Sequence, residues 1–221
     1  MTWNTIFQRQ GGGYHHLYFG PNGELGQYAN GAHNGCGFYA SSLSPGFHHV
    51  AAVAANNQTA FYVDGNYVGS ITQQITESID IVGNFDGNGT QPIGIIDDVI
   101  IWNTNLSQQE INEYMNCPPS AFVSGLARYY NFEEATYWPN GTVAYDQVFG
   151  SSNNGIINGA TYTNNVPPSL CTGNLTNSNG CDSTAILNLT INVCGCTDPT
   201  AFNYNSNANS DDGSCIAIAY G

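Results

Sequence analysis

The sequence predicts an all-β chain of short strands folded as a sandwich or barrel, and three observations predict it. Apolar and polar residues alternate in short runs, the period of a half-buried strand. Turn signals break these runs at regular intervals: Gly11-Gly12-Gly13, Pro21-Asn22-Gly23, Ser44-Pro45-Gly46, Asn56-Asn57 and Asp64-Gly65. Only one stretch carries helical spacing, so the strands must pack on one another as a sandwich or a closed barrel.

Taken in order, Thr5 to Gln10 and Tyr14 to Phe19 flank the triple glycine, and a third strand follows Gly23 over 24–29. Residues 28–39, rich in Gly, Asn, Tyr and His, read as a loop at the rim of the sandwich. Phe47 to Ala54 reads as a mostly buried strand. Thr59 to Val63 and Asn66 to Ser70 surround Asp64-Gly65, the two-residue hairpin signal. Two further strands are expected over 79–83 and 93–102. Ser107 with Glu110 three residues on forms a capping box, and Ile111, Tyr114 and Met115 supply the apolar stripe of a short helix. Strands resume at 126–132 and 155–162, and 185–193 alternates cleanly. The inner faces should include Val50, Val63, Ile96 and Val99.

Charge narrows the function. Arg9 and Arg128 are the whole cationic complement against 16 acidic residues, for a net charge of -14. Such a chain cannot neutralise phosphates, which excludes nucleic acid and anionic membrane surfaces as partners. No run approaches the roughly 20 apolar residues of a membrane helix. Five of the seven cysteines lie in the last 51 residues, the density of a stapled segment in an oxidising, extracellular compartment. Cys194-Gly-Cys196 lacks the spacer of a zinc site. The N-terminus shows neither a basic nor an apolar leader region, so the chain reads as an internal piece of a longer secreted protein.

The series FHHVAAVAANNQTAFYVDGNYVGS, IVGNFDGNG and IGIIDDVIIWNTNLSQQEI resembles the laminin-G-like, concanavalin A-like jelly-roll domains of bacterial surface proteins. The resemblance implies an antiparallel jelly-roll sandwich over 1–117. Residues 118–170 resemble the first strand and loop of such a domain. They either fold back to complete the sandwich or begin a second copy. Residues 171–193 resemble the end of an adhesin module. Residues 194–221 resemble a Cys-bounded repeat of marine bacterial surface proteins, which implies a Cys196–Cys215 loop. The resemblance further implies a structural Ca²⁺ held by Asp97, Asp98, Asp146 and Asn154.

Candidate sites follow from residue chemistry. Sugars stack on aromatic faces beside amide and carboxylate groups, which points to Tyr28, His33, Phe85, Asn88 and Trp138 in three loops. Ser78, Asp80 and Gly83 sit where glycoside hydrolases of this fold carry an E-x-D-x-x-E strand, so two of its three acids are absent, and Glu77 points to the opposite face. Neighbouring histidines on a strand point to opposite faces, so neither His15-His16 nor His48-His49 chelates a metal alone. The oxygen-rich tail, with Asp198, Asn203, Asn205, Asp211 and Asp212, lacks EF-hand spacing. The expectation is a non-catalytic module, binding an extracellular glycan or glycoprotein for adhesion, with flanking domains on either side. A structural spacer is the alternative reading, and a hydrolase or polysaccharide lyase of the same fold the third.

Overall fold

The computed structural model describes residues 4–83, 94–133, 142–167, 196–208 and 210–217, and the backbone of 175–176 and 182–183. Phe85, Asn88, Trp138 and the strand expected over 185–193 lie outside the described residues. The chain forms two compact units, Met1–Thr172 and Gly173–Gly221.

The first unit opens with a meander: β1 (Asn4–Gln8), β2 (Tyr14–Phe19), β3 (Glu24–Ala29) and β4 (Ala32–Tyr39). A second antiparallel group, β5 (Val50–Ala55), β6 (Gln58–Val63) and β7 (Asn66–Ile71), follows, and the short β8 (Ile81–Val82) returns to pair with β1. The two sheets have the orders β4-β3-β2-β1-β8 and β5-β6-β7. The expected loop at 28–39 is a correction: it is the hairpin of β3 and β4. Asn30 and Gly31 both take positive φ (53° and 82°), the geometry of a tight two-residue turn. The low hydrophobicity of Ala32 to Gly37 hides this strand from a pattern reading.

Period-two burial builds the core. Leu17 and Phe19 of β2 and Leu25 of β3 pack with Phe61 and Val63 of β6 and Ile71 of β7. Ile6, Phe7, Cys36, Phe38, Val50 and Val68 close around them. The interior also holds a polar bridge. Thr59 is fully buried and donates to the Gln73 carbonyl (2.7 Å), while Gln27 donates to the His16 carbonyl (3.1 Å). Buried polar groups of this kind are tolerated because each finds a partner.

β9 (Val99–Trp102) begins later than the run IGIIDDVIIW suggests, because Asp98 adopts φ +49° and breaks the extended backbone. Val99 and Val63 are buried; Val50 and Ile96 are half-buried. The helix α1 (Gln108–Asn116) carries the predicted capping box: Ser107 accepts from the Glu110 amide, and Glu110 accepts from the Ser107 amide (2.7 Å). Its anchors are buried Ile111, Tyr114 stacked on Trp102 (4.7 Å) and Gln108, which donates to the Gly65 carbonyl. Beyond it, β10 (Leu126–Tyr130) pairs antiparallel with β9, and β11 (Val143–Ala144) with β12 (Gly155–Ile156). Phe132 at φ +54° ends the run of β10. Cys117 is disulfide-bonded and Cys36 is a free thiol.

In the second unit β13 (Leu175–Thr176) pairs with β14 (Asp182–Ser183), and Cys196 is bonded to Cys215. No helix among the described residues is long and apolar enough to cross a membrane.

Candidate functional site

Alternation gives the five-stranded sheet a second face, opposite the core. In β3, Leu25 points to the core, so Glu24, Gly26 and Tyr28 point away. Across the Asn30-Gly31 turn, Tyr28 pairs with His33 and Gly26 with Gly35. On the other side His15 pairs with Tyr28 and Tyr18 with Gly26, with a bulge between them. That bulge is what puts His15 and Tyr18 on one face although they stand three apart. Thr5 of β1 joins them, its hydroxyl 2.8 Å from His15 Nδ1.

The result is a patch of aromatic and polar groups. Tyr18 lies between His15 (5.4 Å), His33 (5.3 Å) and Tyr28 (6.5 Å), measured between ring centroids. The Tyr18 phenol is pushed up to about 12, first by burial and then by Tyr28 and Glu24. It therefore keeps its proton, and its oxygen is hydrogen-bonded to His33 Nδ1 at 2.5 Å. The other ring nitrogen, Nε2, faces Glu24 Oε2 at 3.4 Å. Glu24 Oε1 accepts from the Gly37 amide (2.9 Å). A carboxylate, an imidazole and a phenol are thus held in one chain. The outer members remain accessible, with the Glu24 and His33 side chains 16% and 24% exposed.

Glycine makes this arrangement possible. A Cβ at Gly35 would lie 2.1 Å from the Glu24 carboxyl carbon, so only glycine leaves the carboxylate room to lie across β4. Of the expected ligand residues, Tyr28 and His33 come together here; Phe85, Asn88 and Trp138 lie outside the described residues. Sequence reasoning missed Glu24, Tyr18 and His15 as members. The Asn-Gly turn could have paired His33 with Tyr28 and, by alternation, added Glu24. The bulge leaves no mark in the sequence.

The proposed metal ligands separate into two groups that share Tyr129. Its amide donates to Asp146 Oδ1 (3.0 Å) and its hydroxyl to Asp98 Oδ1 (2.8 Å). The Asp146 side chain is buried and engaged at both oxygens: Oδ1 also accepts from the Val148 amide, and Oδ2 from Ser151 (2.5 Å), with Arg128 Nε at 3.7 Å. Asn154 Oδ1 is taken by the Asp146 amide (3.1 Å). These two residues organise their loop and do not fit a resident cation. Asp97 and Asp98 fit better. Burial raises both carboxyls, and Asp98 and Glu133 raise Asp97 further, a repulsion that a cation would relieve. Among the described residues, no three His, Cys, Asp or Glu side chains are placed to hold a metal.

The other acidic and imidazole groups do structural work. Glu77 pairs with Arg9 (3.0 Å), and Asp80 accepts from the Gln10 amide (2.9 Å) and Ser78 (3.0 Å). His48 sits on Asp64 (2.7 Å), while His16 is buried against the Glu77 carbonyl. In the tail Asp198, Asp211 and Asp212 accept from backbone amides two residues on, as turn residues.

Among solved structures the chain is similar to a provisionally assigned carbohydrate binding protein from Bacteroides ovatus ATCC 8483. The match has 20% identity and a TM-score of 0.45, covering 66% of this chain and 45% of that one. The chain thus spans under half the length of that protein. No curated protein matches. The family model for the concanavalin A-like lectin/glucanases superfamily matches residues 1–112, which include both sheets of the sandwich and most of α1. By that match, over half of its length, this chain belongs to the concanavalin A-like lectin/glucanases superfamily.

Proposed function

We propose that this chain is a non-catalytic carbohydrate-binding module of a secreted or cell-surface protein, and that its binding surface is the outer face of the five-stranded sheet. The observation that carries the reading is the Glu24–His33–Tyr18 chain beside the half-buried Tyr28 ring. A sugar presents hydroxyls and an apolar ring face; this surface offers fixed hydrogen-bonding groups and an aromatic ring. The group holds one carboxylate, whereas acid–base glycoside hydrolysis needs two. Glu77 and Asp80 are committed to Arg9 and to the backbone.

In this reading residues 118–170 complete the first sandwich, supported by the pairing of β10 with β9, and adjoining domains carry the adhesive context. Calcium has a supporting part, with Asp97 and Asp98 as its holders and no direct part in ligand contact.

Glycan-array binding followed by titration calorimetry tests the proposal. Specific binding is expected, falling at least about tenfold in Tyr28→Ala and in His33→Ala, roughly 1.4 kcal/mol. Addition of EDTA should lower thermal stability more than affinity. Silence across a broad array would leave the structural-spacer reading, and release of reducing ends would restore the hydrolase.

A further inference from the structure

Resting on the carbohydrate reading of this face, we infer that it selects glycans without acidic groups and rejects uronate-bearing or sulfated ones. The argument begins with the cations. The chain has no lysine, and its two arginines are both placed. Arg9 NH1 lies 3.0 Å from Glu77 Oε2, with its guanidinium 5.8 Å from the Tyr14 ring centre. Arg128 Nε lies 3.7 Å from the buried Asp146 and its NH1 donates to the Ala127 carbonyl. An acidic sugar is recognised through a guanidinium or ammonium that meets its carboxylate or sulfate. Each of the two guanidiniums, 44% and 38% exposed, already faces a carboxylate of this chain.

The charge at the face has the wrong sign for an acidic sugar. Glu24 is the carboxylate of this face, its side chain 16% exposed, fixed by the Gly37 amide and facing His33. A neutral sugar hydroxyl donates to such a carboxylate. A ligand carboxylate or sulfate in that position would put two anions in contact. The net charge of -14 adds a longer-range repulsion that grows as salt is lowered. Tyr28 and the His33 edge contribute stacking and hydrogen bonding that ask for no ligand charge.

Matched polymer pairs provide the test: laminarin with laminarin sulfate, hydroxyethyl cellulose with carboxymethyl cellulose, and agarose with carrageenan. Each is assayed with the full chain by affinity gel electrophoresis and by calorimetry, at about 50 mM and about 1 M salt, across a roughly threefold or larger change in Debye length. For any backbone that binds, the neutral member should bind at least about tenfold more tightly at low salt, with the gap narrowing at high salt. Glu24→Gln should close part of that gap, while Tyr28→Ala should weaken the neutral member. Equal or tighter binding of the acidic member at low salt overturns the inference and leaves the carbohydrate reading standing. Failure of every polymer, together with a silent glycan array, overturns the carbohydrate reading and this inference with it.

Discussion

The histidines divide by what each side chain touches. His48 is raised above 6.5, first by its hydrogen bond to Asp64 and then by the Ser44 carbonyl. Its contribution to stability is present below about pH 6.5 and fades as pH climbs through the higher folded value. His15, His16 and His49 are lowered, each first by burial. They stay neutral in the fold, so stability is lost as pH falls below about 6.5 toward their folded values. Following imidazole carbon-bound proton shifts by NMR should show His48 titrating above 6.5 and His15, His16 and His49 below it; His48 titrating with the lower group would refute the assignment. Glycine acts at the same scale. A Cβ at Gly26 would meet the Asn34 carbonyl oxygen at 2.1 Å, a backbone atom that cannot step aside. At Gly35 it meets the carboxylate end of the Glu24 side chain, which can give way by leaving its place in the site. Gly26→Ala should therefore lower stability by about 1–3 kcal/mol, whereas Gly35→Ala should cost ligand affinity with little change in melting temperature. The reverse pattern would remove Glu24 from the site.

Elements show which sequence signals were sufficient. The Asp64-Gly65 hairpin and the capped helix formed where their turn and cap residues required, because both are local interactions among neighbours in sequence. β4 was mistaken for a loop, since Gly and Ala carry no hydrophobic signature and only pairing with β3 makes it a strand. β9 was cut short by one left-handed residue, Asp98. The β9–β10 ladder joins segments separated by the helix and its following loop, and it covers backbone groups that an edge strand would leave open. A chain of residues 1–117, lacking β10, should aggregate or unfold without cooperativity, while residues 1–172 should unfold in one transition. Circular dichroism melts and size-exclusion profiles decide this; a well-behaved 1–117 monomer would make 118–170 a separate element.

At the scale of the whole molecule the two units rest on different forces. Met1–Thr172 has a shared apolar core between two sheets. The Cys196–Cys215 segment buries only Cys196 and Ala201 among its described apolar side chains and leaves Phe202 79% exposed. Its order depends on the disulfide and on short bonds such as Phe202 N to the Ile216 carbonyl (2.9 Å). Closing a loop of that length is worth about 3 kcal/mol. Cys215→Ser should open chymotrypsin cleavage at Phe202 and Tyr204 while the main thermal transition is unchanged; continued resistance would mean that other contacts hold the tail. Sequence by itself determined the all-β class, the helix, the main turns and the likeness that led to the superfamily, because periodicity, turns and caps are properties of neighbouring residues. Only the tertiary structure decided that Glu24, Tyr18 and His15 join Tyr28 and His33, and that Asp146 is consumed by its own loop. Strand register and a single bulge set those meetings, and they are fixed by packing between distant segments.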